Sequence, residues 1–180
     1  LLRQADQAMY QAKQRRSGFE YFSDELNTVA HQQLTLETGL RHALERKELA
    51  LVYQPKVDLL SGRIVGLEAL SRWLTRSGGM ISPDQFIPVA EETGLILPVG
   101  QWVLETACAQ LMHWSQHPKT AHLHLAVNVS AQQVHQPDFV EQVLSTLART
   151  GADPRRLKLE LTESMLMQEA EDTILKMNQL

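Results

Sequence analysis

The order of strand-like and helix-like segments after residue 48 is the feature that most restricts the fold of this chain. Two β-rich segments, 49–57 and 63–73, flank a Ser-Gly turn and predict a β-hairpin. Beyond the hairpin the pattern changes to helix, strand, helix, strand and helix. Because helices that alternate with strands usually connect neighbouring parallel strands, this order predicts an α/β fold with a parallel sheet.

Local signals indicate where the later elements begin and end. Ser82 followed by Pro83 and Gln85 is typical of a helix N-terminus with a capping box. This helix is expected to stop near Gly94. The remaining predicted elements are a helix over 97–116, a strand over 122–129, a helix over 137–149, a strand over 157–162 and a helix from Met165 onward.

The beginning of the chain reads as the end of a different domain. Residues 1–14 form an amphipathic pattern that cannot bury its own apolar face, and a short strand is expected over 19–22. The chain starts without Met and ends inside a helical pattern, so we expect a piece of a longer protein. The predicted division is a preceding domain end over 1–23, a linker helix over 24–35 and a second, incomplete domain over 36–180.

Composition is ordinary for a globular protein and excludes few functions. The chain is 43% hydrophobic and 21% charged, with a net charge of -4. Its basic residues are scattered, so no nucleic-acid polymer is expected as a partner.

Cys108 has no second cysteine to pair with, and its apolar neighbours at helical spacing predict a small buried residue. One unpaired cysteine fits a reducing compartment, so we expect a cytoplasmic location. No apolar run is long enough to span a bilayer, and any membrane anchor would lie outside this segment.

Polar side chains recur on one face of the predicted strands. Glu68 and Arg72 share a face of the second strand, about 13 Å apart. Asn128 and Glu160 lie near the ends of the next two strands, where α/β barrels place active sites. Taken singly, each has an ordinary structural interpretation as a surface glutamate, a turn-forming asparagine or a carboxylate at a helix N-terminus.

Five motifs in a fixed order connect this chain to a known family. They are Tyr-Gln-Pro at 53–55, Gly-Leu-Glu-Ala-Leu-Ser-Arg-Trp at 66–73, FIPVAEETGLI at 86–96, VNVS at 127–130 and ELTES at 160–164. Their order and spacing resemble the EAL domain. The segment ADQAMYQAK at 5–13 is similar to the last helix of GGDEF domains, which often precede EAL domains.

The resemblance implies a fold and a reaction. The fold would be the first part of a modified (β/α)8 TIM-type barrel, truncated, with a short helix-strand tail of a GGDEF domain. EAL domains hydrolyse cyclic di-GMP to linear pGpG with Mg2+ or Mn2+. By the motifs, the implied metal ligands are Glu68, Asn128 and Glu160, the substrate-binding residues are Gln54 and Arg72, and the catalytic carboxylates are Glu68, Glu160 and Glu163, the last steadying a loop over the metals.

The resemblance also implies partners and a competing function. Expected partners are cyclic di-GMP, an adjacent GGDEF domain in the same protein and a second copy bound through the EAL domain. The family's paired Asp, its Lys and a further Glu would lie beyond Leu180, so these 180 residues alone are expected to be inactive. The alternative is a degenerate EAL domain that binds the ligand without cutting it. Such domains usually lack metal ligands, whereas the positions visible here are filled, which favours hydrolysis.

Overall fold

The computed structural model describes residues 24–161 and 170–180. The predictions for 1–23 and for Glu163 lie outside these residues and stay predictions. The described helices are α1 (Asp24–Ala43), α2 (Pro83–Thr93), α3 (Ile96–Ser115), α4 (Ala131–Val134), α5 (Phe139–Thr150) and α6 (Ala170–Met177). The strands are β1 (Leu49–Val57), β2 (Ile64–Leu74), β3 (Met80–Ile81), β4 (His124–Asn128) and β5 (Leu157–Glu160).

The strands form one mixed sheet in the order β1-β2-β4-β5, with β3 paired to the end of β2. β1 and β2 are antiparallel and form the predicted hairpin. β4 runs parallel to β2, and β5 runs parallel to β4. The helices between β3 and β5 provide the crossovers that parallel neighbours need. The hairpin followed by a parallel α/β sheet is therefore confirmed.

Three short elements were not predicted. These are β3, the four-residue α4 and a 3-10 turn over Pro154–Arg156. None of them is long enough to show a helical or strand period in the sequence, so their turn chemistry alone could reveal them. The predicted strand over 122–129 is also shorter in the structure, because His122 and Leu123 lie before the paired residues of β4.

Capping signals gave accurate bounds for the helices. Ser82 and Gln85 form the predicted capping box at the start of α2, and Gly94 ends that helix with a left-handed backbone, at φ 73°. Gly151 ends α5 in the same way, also at φ 73°. A residue with a Cβ is strained in this conformation, so glycine marks both helix ends.

Two apolar clusters support the outer face of the sheet. The larger one packs Leu125 and Val127 of β4 against Cys108 of α3 and Val143 of α5. Cys108 is fully buried, as predicted, and burial raises the pKa of its thiol to about 11. The thiol therefore stays protonated at neutral pH and serves as a core residue.

The second cluster supports the far end of the hairpin. Trp73 at the end of β2 packs edge-to-face on Phe86 of α2, with ring centroids 6.0 Å apart. Its indole N–H donates to the Glu48 carboxylate at 3.2 Å. Leu40 of α1 is fully buried in the same cluster. Both clusters lie on the helical side of the sheet, which leaves the opposite face for polar side chains.

Among the described helices, none has the length and apolarity to cross a membrane.

Candidate active site

Strand register brings the predicted residues onto one face of the sheet. Gln54 of β1 lies directly opposite Glu68 of β2. Asn128 of β4 lies beside Glu160 of β5. Since directly paired residues project to the same side of a sheet, these side chains share the face that is free of helices. Arg72 follows Glu68 by four residues and projects the same way.

Glu68 and Asn128 are in direct contact. The Asn128 amide nitrogen donates to one carboxylate oxygen of Glu68 at 2.8 Å. The Glu68 side chain keeps 25% of its surface exposed, so it is open to solvent but held by its neighbours. The hydrogen bond orients both groups on adjacent strands, which fixes two oxygen-bearing side chains at one place.

Lys56 joins the two carboxylates of the site. Its ammonium donates to Glu160 and lies 3.6 Å from a carboxylate oxygen of Glu68. The hydrogen bond to Glu160 is the main reason why the pKa of Lys56 is raised. On a flat sheet β1 and β5 would be about 14 Å apart, at three strand spacings. The side chains of Lys56 and Glu160 therefore extend toward each other across the face of the sheet.

The oxygen donors suit a hard divalent cation. Glu68 and Glu160 supply carboxylates and Asn128 supplies an amide oxygen, the ligand types that Mg2+ and Mn2+ prefer. The bound Lys56 ammonium shows that positive charge is accommodated between the two carboxylates. Within residues 24–161 and 170–180 no group of three or more His, Cys, Asp and Glu residues gathers. The donors present fit a metal, but they make up part of a coordination shell.

A cavity of about 470 Å3 opens beside Asn128. Arg72 and Asn128 line it together with apolar side chains from β2, α2 and α3, namely Leu70, Ile87, Ile96 and Val99. The Arg72 guanidinium donates to the Ser71 carbonyl at 2.8 Å. None of the carboxylates in the described part of the chain forms an ion pair with it. The guanidinium thus lines the pocket from the same strand face as Glu68, where it can bind an anion.

Gln54 and Glu163 are the two predicted site residues for which the structure gives no side-chain contact. Gln54 is exposed on the site face, and no described side chain forms a hydrogen bond with its amide. Glu163 is outside the described residues. The structure therefore gathers Glu68, Asn128 and Glu160 and places Gln54 and Arg72 on the same face.

A capped turn follows Asn128 and was not anticipated from the sequence. The side-chain oxygen of Gln133 accepts a hydrogen bond from the Ser130 backbone N–H at 3.1 Å. The backbone N–H of Gln133 in turn donates to the Ser130 hydroxyl at 3.3 Å. Gly100 of α3 leaves the space for this side chain, since a Cβ there would lie 2.0 Å from the Gln133 amide nitrogen. The spacing of Ser130 and Gln133 is a capping-box signal that could have revealed the turn. Its contact with Gly100 had no sequence signal.

The family model of the EAL domain matches residues 37–180. This chain belongs to the EAL domain family. The match includes every motif from Tyr-Gln-Pro to ELTES. In an α/β barrel the face away from the helices is the inner side, and the active site lies at the carboxyl ends of the strands, where Asn128 and Glu160 end β4 and β5.

Two curated relatives are named as cyclic di-GMP phosphodiesterases. The bifunctional diguanylate cyclase/cyclic di-GMP phosphodiesterase MucR of Pseudomonas aeruginosa is 44% identical over 181 aligned residues, which cover 100% of this chain and 26% of the relative. The cyclic di-GMP phosphodiesterase PA2567 of the same organism is 39% identical over 160 residues, covering 88% of this chain and 27% of the relative. The chain thus spans about a quarter of the length of these relatives.

Solved structures confirm the predicted fold class. The PaMucR phosphodiesterase in complex with c-di-GMP matches with a TM-score of 0.77 at 43% identity, over 81% of this chain and 58% of that one. The EAL enzyme Bd1971, in its cAMP and cyclic-di-GMP bound form, matches with a TM-score of 0.77 at 30% identity, over 84% and 42%. The described sheet and helices are therefore the first part of an EAL fold.

Proposed function

We propose that the protein containing this EAL domain hydrolyses cyclic di-GMP to linear pGpG with Mg2+ or Mn2+. The observation that carries the proposal is the meeting of Glu68, Asn128 and Glu160 on one face of three neighbouring strands, with both carboxylates in contact with one cationic group. The names of the relatives supply the substrate. The receptor alternative would lead us to expect missing oxygen donors, and these three are present.

In this proposal the side chains divide into those that hold metal and those that hold substrate. Glu68, Asn128 and Glu160 would hold the metal, which when bound polarises the phosphodiester and lowers the pKa of a bound water. Glu68 and Glu160 then count as catalytic, and Glu163 is proposed to steady a loop above them.

Substrate contacts come from the same face. Arg72 is proposed to bind a phosphate oxygen, because a guanidinium offers several N–H donors in one plane. Gln54 is proposed to contact the ligand from β1. The apolar pocket beside Arg72 has the size and lining that suit one planar base of the dinucleotide.

The wider organisation of the protein is also a proposal. Leu34 of α1 is 60% exposed, whereas Leu40 and Ala43 further along the helix are fully buried. The change from exposed to buried apolar side chains along α1 supports a linker helix over 24–35 and an EAL domain over 36–180. A GGDEF domain before residue 24, a homodimer formed through the EAL domain and a cytoplasmic location complete the proposal.

Metal removal tests the reaction. Purified full-length protein is expected to convert cyclic di-GMP to pGpG in Mg2+ or Mn2+. Chelation with EDTA should slow hydrolysis by more than about 100-fold, because a bound metal would activate the attacking water and stabilise the developing charge. Chromatographic quantification of pGpG measures both rates. Tight ligand binding with no product in either metal would instead support the receptor function.

The capped turn after Asn128 gives a second test. Gly100→Ala should push the Gln133 amide away from Ser130. Loss of the cap costs about 1 kcal/mol, and the better helix propensity of alanine returns about 1 kcal/mol, so the free energy of unfolding should change little. Hydrolysis should still fall by about 10- to 100-fold, as is typical when support for a metal ligand is lost.

The matched comparison is Gln133→Ala, alone and combined with Gly100→Ala. The single variant should lose similar activity and about 1 kcal/mol of stability. The double variant should lose no further activity, because both changes remove the same contact. A wild-type rate for Gly100→Ala would show that the turn does not position Asn128.

A further inference from the structure

Lys56 lies in the centre of the candidate site although no motif assigned it a role. It is two residues from Gln54 on β1 and therefore projects to the same face. Its partner on β2 is Gly66, which has no side chain. A Cβ at Gly66 would lie 2.9 Å from the His124 carbonyl oxygen, so this position stays open. The Lys56 stem can therefore cross β2 toward β5 without meeting an opposing side chain.

The ammonium of Lys56 occupies the place where the two carboxylates converge. It donates to Glu160 and lies 3.6 Å from Glu68. Glu68 on β2 and Glu160 on β5 are both held by pairing to β4, so backbone movement cannot easily separate them. Two carboxylates that face one point repel each other unless a cation neutralises them. A divalent ion held by both groups would need the position that the ammonium holds.

We propose that Lys56 is an internal counter-ion that competes with the divalent metal for Glu68 and Glu160 and thereby sets the metal affinity of the site. The inference rests on the proposed function, because it takes these carboxylates to be metal ligands. Metal binding then requires the ammonium to leave both groups. Its side chain is 42% exposed, so it has solvent-accessible space into which the flexible stem can turn.

Direct measurement of Mn2+ binding tests the competition without relying on turnover. Free Mn2+ is quantified by electron paramagnetic resonance in a titration of the full-length protein. Lys56→Met removes the charge and keeps an unbranched stem, and the Kd for Mn2+ should fall about three- to tenfold, as expected when a partly exposed ion pair no longer has to be broken. Lys56→Arg keeps the cation and should stay near the wild-type Kd.

Lys158→Met is the matched control. Lys158 is an exposed residue of β5 that projects to the same face as Glu160, and it forms no ion pair or side-chain hydrogen bond within the described residues. Its removal changes the net charge by the same amount as Lys56→Met. The Kd for Mn2+ should change by less than it does in Lys56→Met, because the Lys158 ammonium contacts neither carboxylate and need not be displaced by the metal.

A second measurement follows stability without metal. In EDTA, Lys56→Met should lower the melting temperature, because the two carboxylates then repel without a counter-ion. Adding Glu160→Gln to Lys56→Met should recover part of the loss. If Lys56→Met does not fold, Lys56→Gln replaces it in both measurements.

The outcomes separate this inference from the proposed function. If the wild type binds Mn2+ and Lys56→Met binds it no more tightly, the counter-ion role is wrong and the metal site stands. If the wild type binds no Mn2+ at all, the metal site itself is wrong and the role of Lys56 falls with it. Tighter binding by Lys56→Met, with little change in Lys158→Met, supports the inference.

Discussion

Replacing Glu68 or Glu160 by glutamine is expected to slow cyclic di-GMP hydrolysis by more than about 100-fold. The substitution keeps the size of the side chain and removes the negative charge that attracts a divalent cation. Loss of a group that merely supports a metal ligand typically costs 10- to 100-fold, so loss of the ligand itself should exceed that range. Initial rates of pGpG formation at saturating Mg2+ measure the effect, and Asn128→Ala should act in the same direction.

The control is the same substitution, glutamate to glutamine, at a position in the helical layer. Glu105 of α3 forms an ion pair with Arg149 at 2.7 Å and is 40% exposed. Glu105→Gln therefore removes a charge and an ion pair on the other side of the sheet. Its rate should stay within about twofold of wild type, since exposed ion pairs contribute little. Wild-type rates in both Glu68→Gln and Glu160→Gln would disprove the site assignment.

Arg72→Ala should weaken binding of cyclic di-GMP by about 10- to 100-fold. A hydrogen bond to a charged group contributes about 1.5–3 kcal/mol, which corresponds to that loss in affinity. Calorimetry in EDTA isolates binding from hydrolysis. Arg72→Lys should recover part of the affinity, because an ammonium keeps the charge and loses the planar set of donors.

The metal site should be unaffected by loss of Arg72. The Kd for Mn2+ is expected to stay at the wild-type value in Arg72→Ala, which separates a substrate contact from general damage to the sheet. Arg63→Ala, at an exposed position beside the hairpin turn, is the control for loss of one positive charge. Equal ligand affinity in Arg72→Ala and wild type would contradict the phosphate contact.

Structural features that depend on a few neighbouring residues were predicted well. Ser82, Gln85 and Gly94 specify where α2 begins and ends, because caps and left-handed glycines depend on a few neighbouring residues. The period-two pattern of the strands placed Glu68 and Arg72 on one face before any pairing was known. β3 and α4 escaped prediction, since segments of two and four residues show no period.

The contacts that complete the site depend on pairing between distant segments. Lys56 reaches Glu160 across 104 positions of sequence, and only the strand order shows that the two can meet. Gly100 faces Gln133 because α3 packs behind the turn after β4. Neither relation has a periodic or compositional signal, so a single sequence could identify the motif residues and miss Lys56 and Gly100.

Strand pairing also restricts how this segment can tolerate changes in length. Asn128 and Glu160 occupy matched positions on β4 and β5, and Glu68 lies level with Ala126. Inserting or deleting one residue within β4 would turn Asn128 toward the apolar cluster and bring Val127 or Val129 to the polar face. We therefore expect single-residue insertions and deletions to be tolerated better in connections such as the turn over 58–63 than within β4.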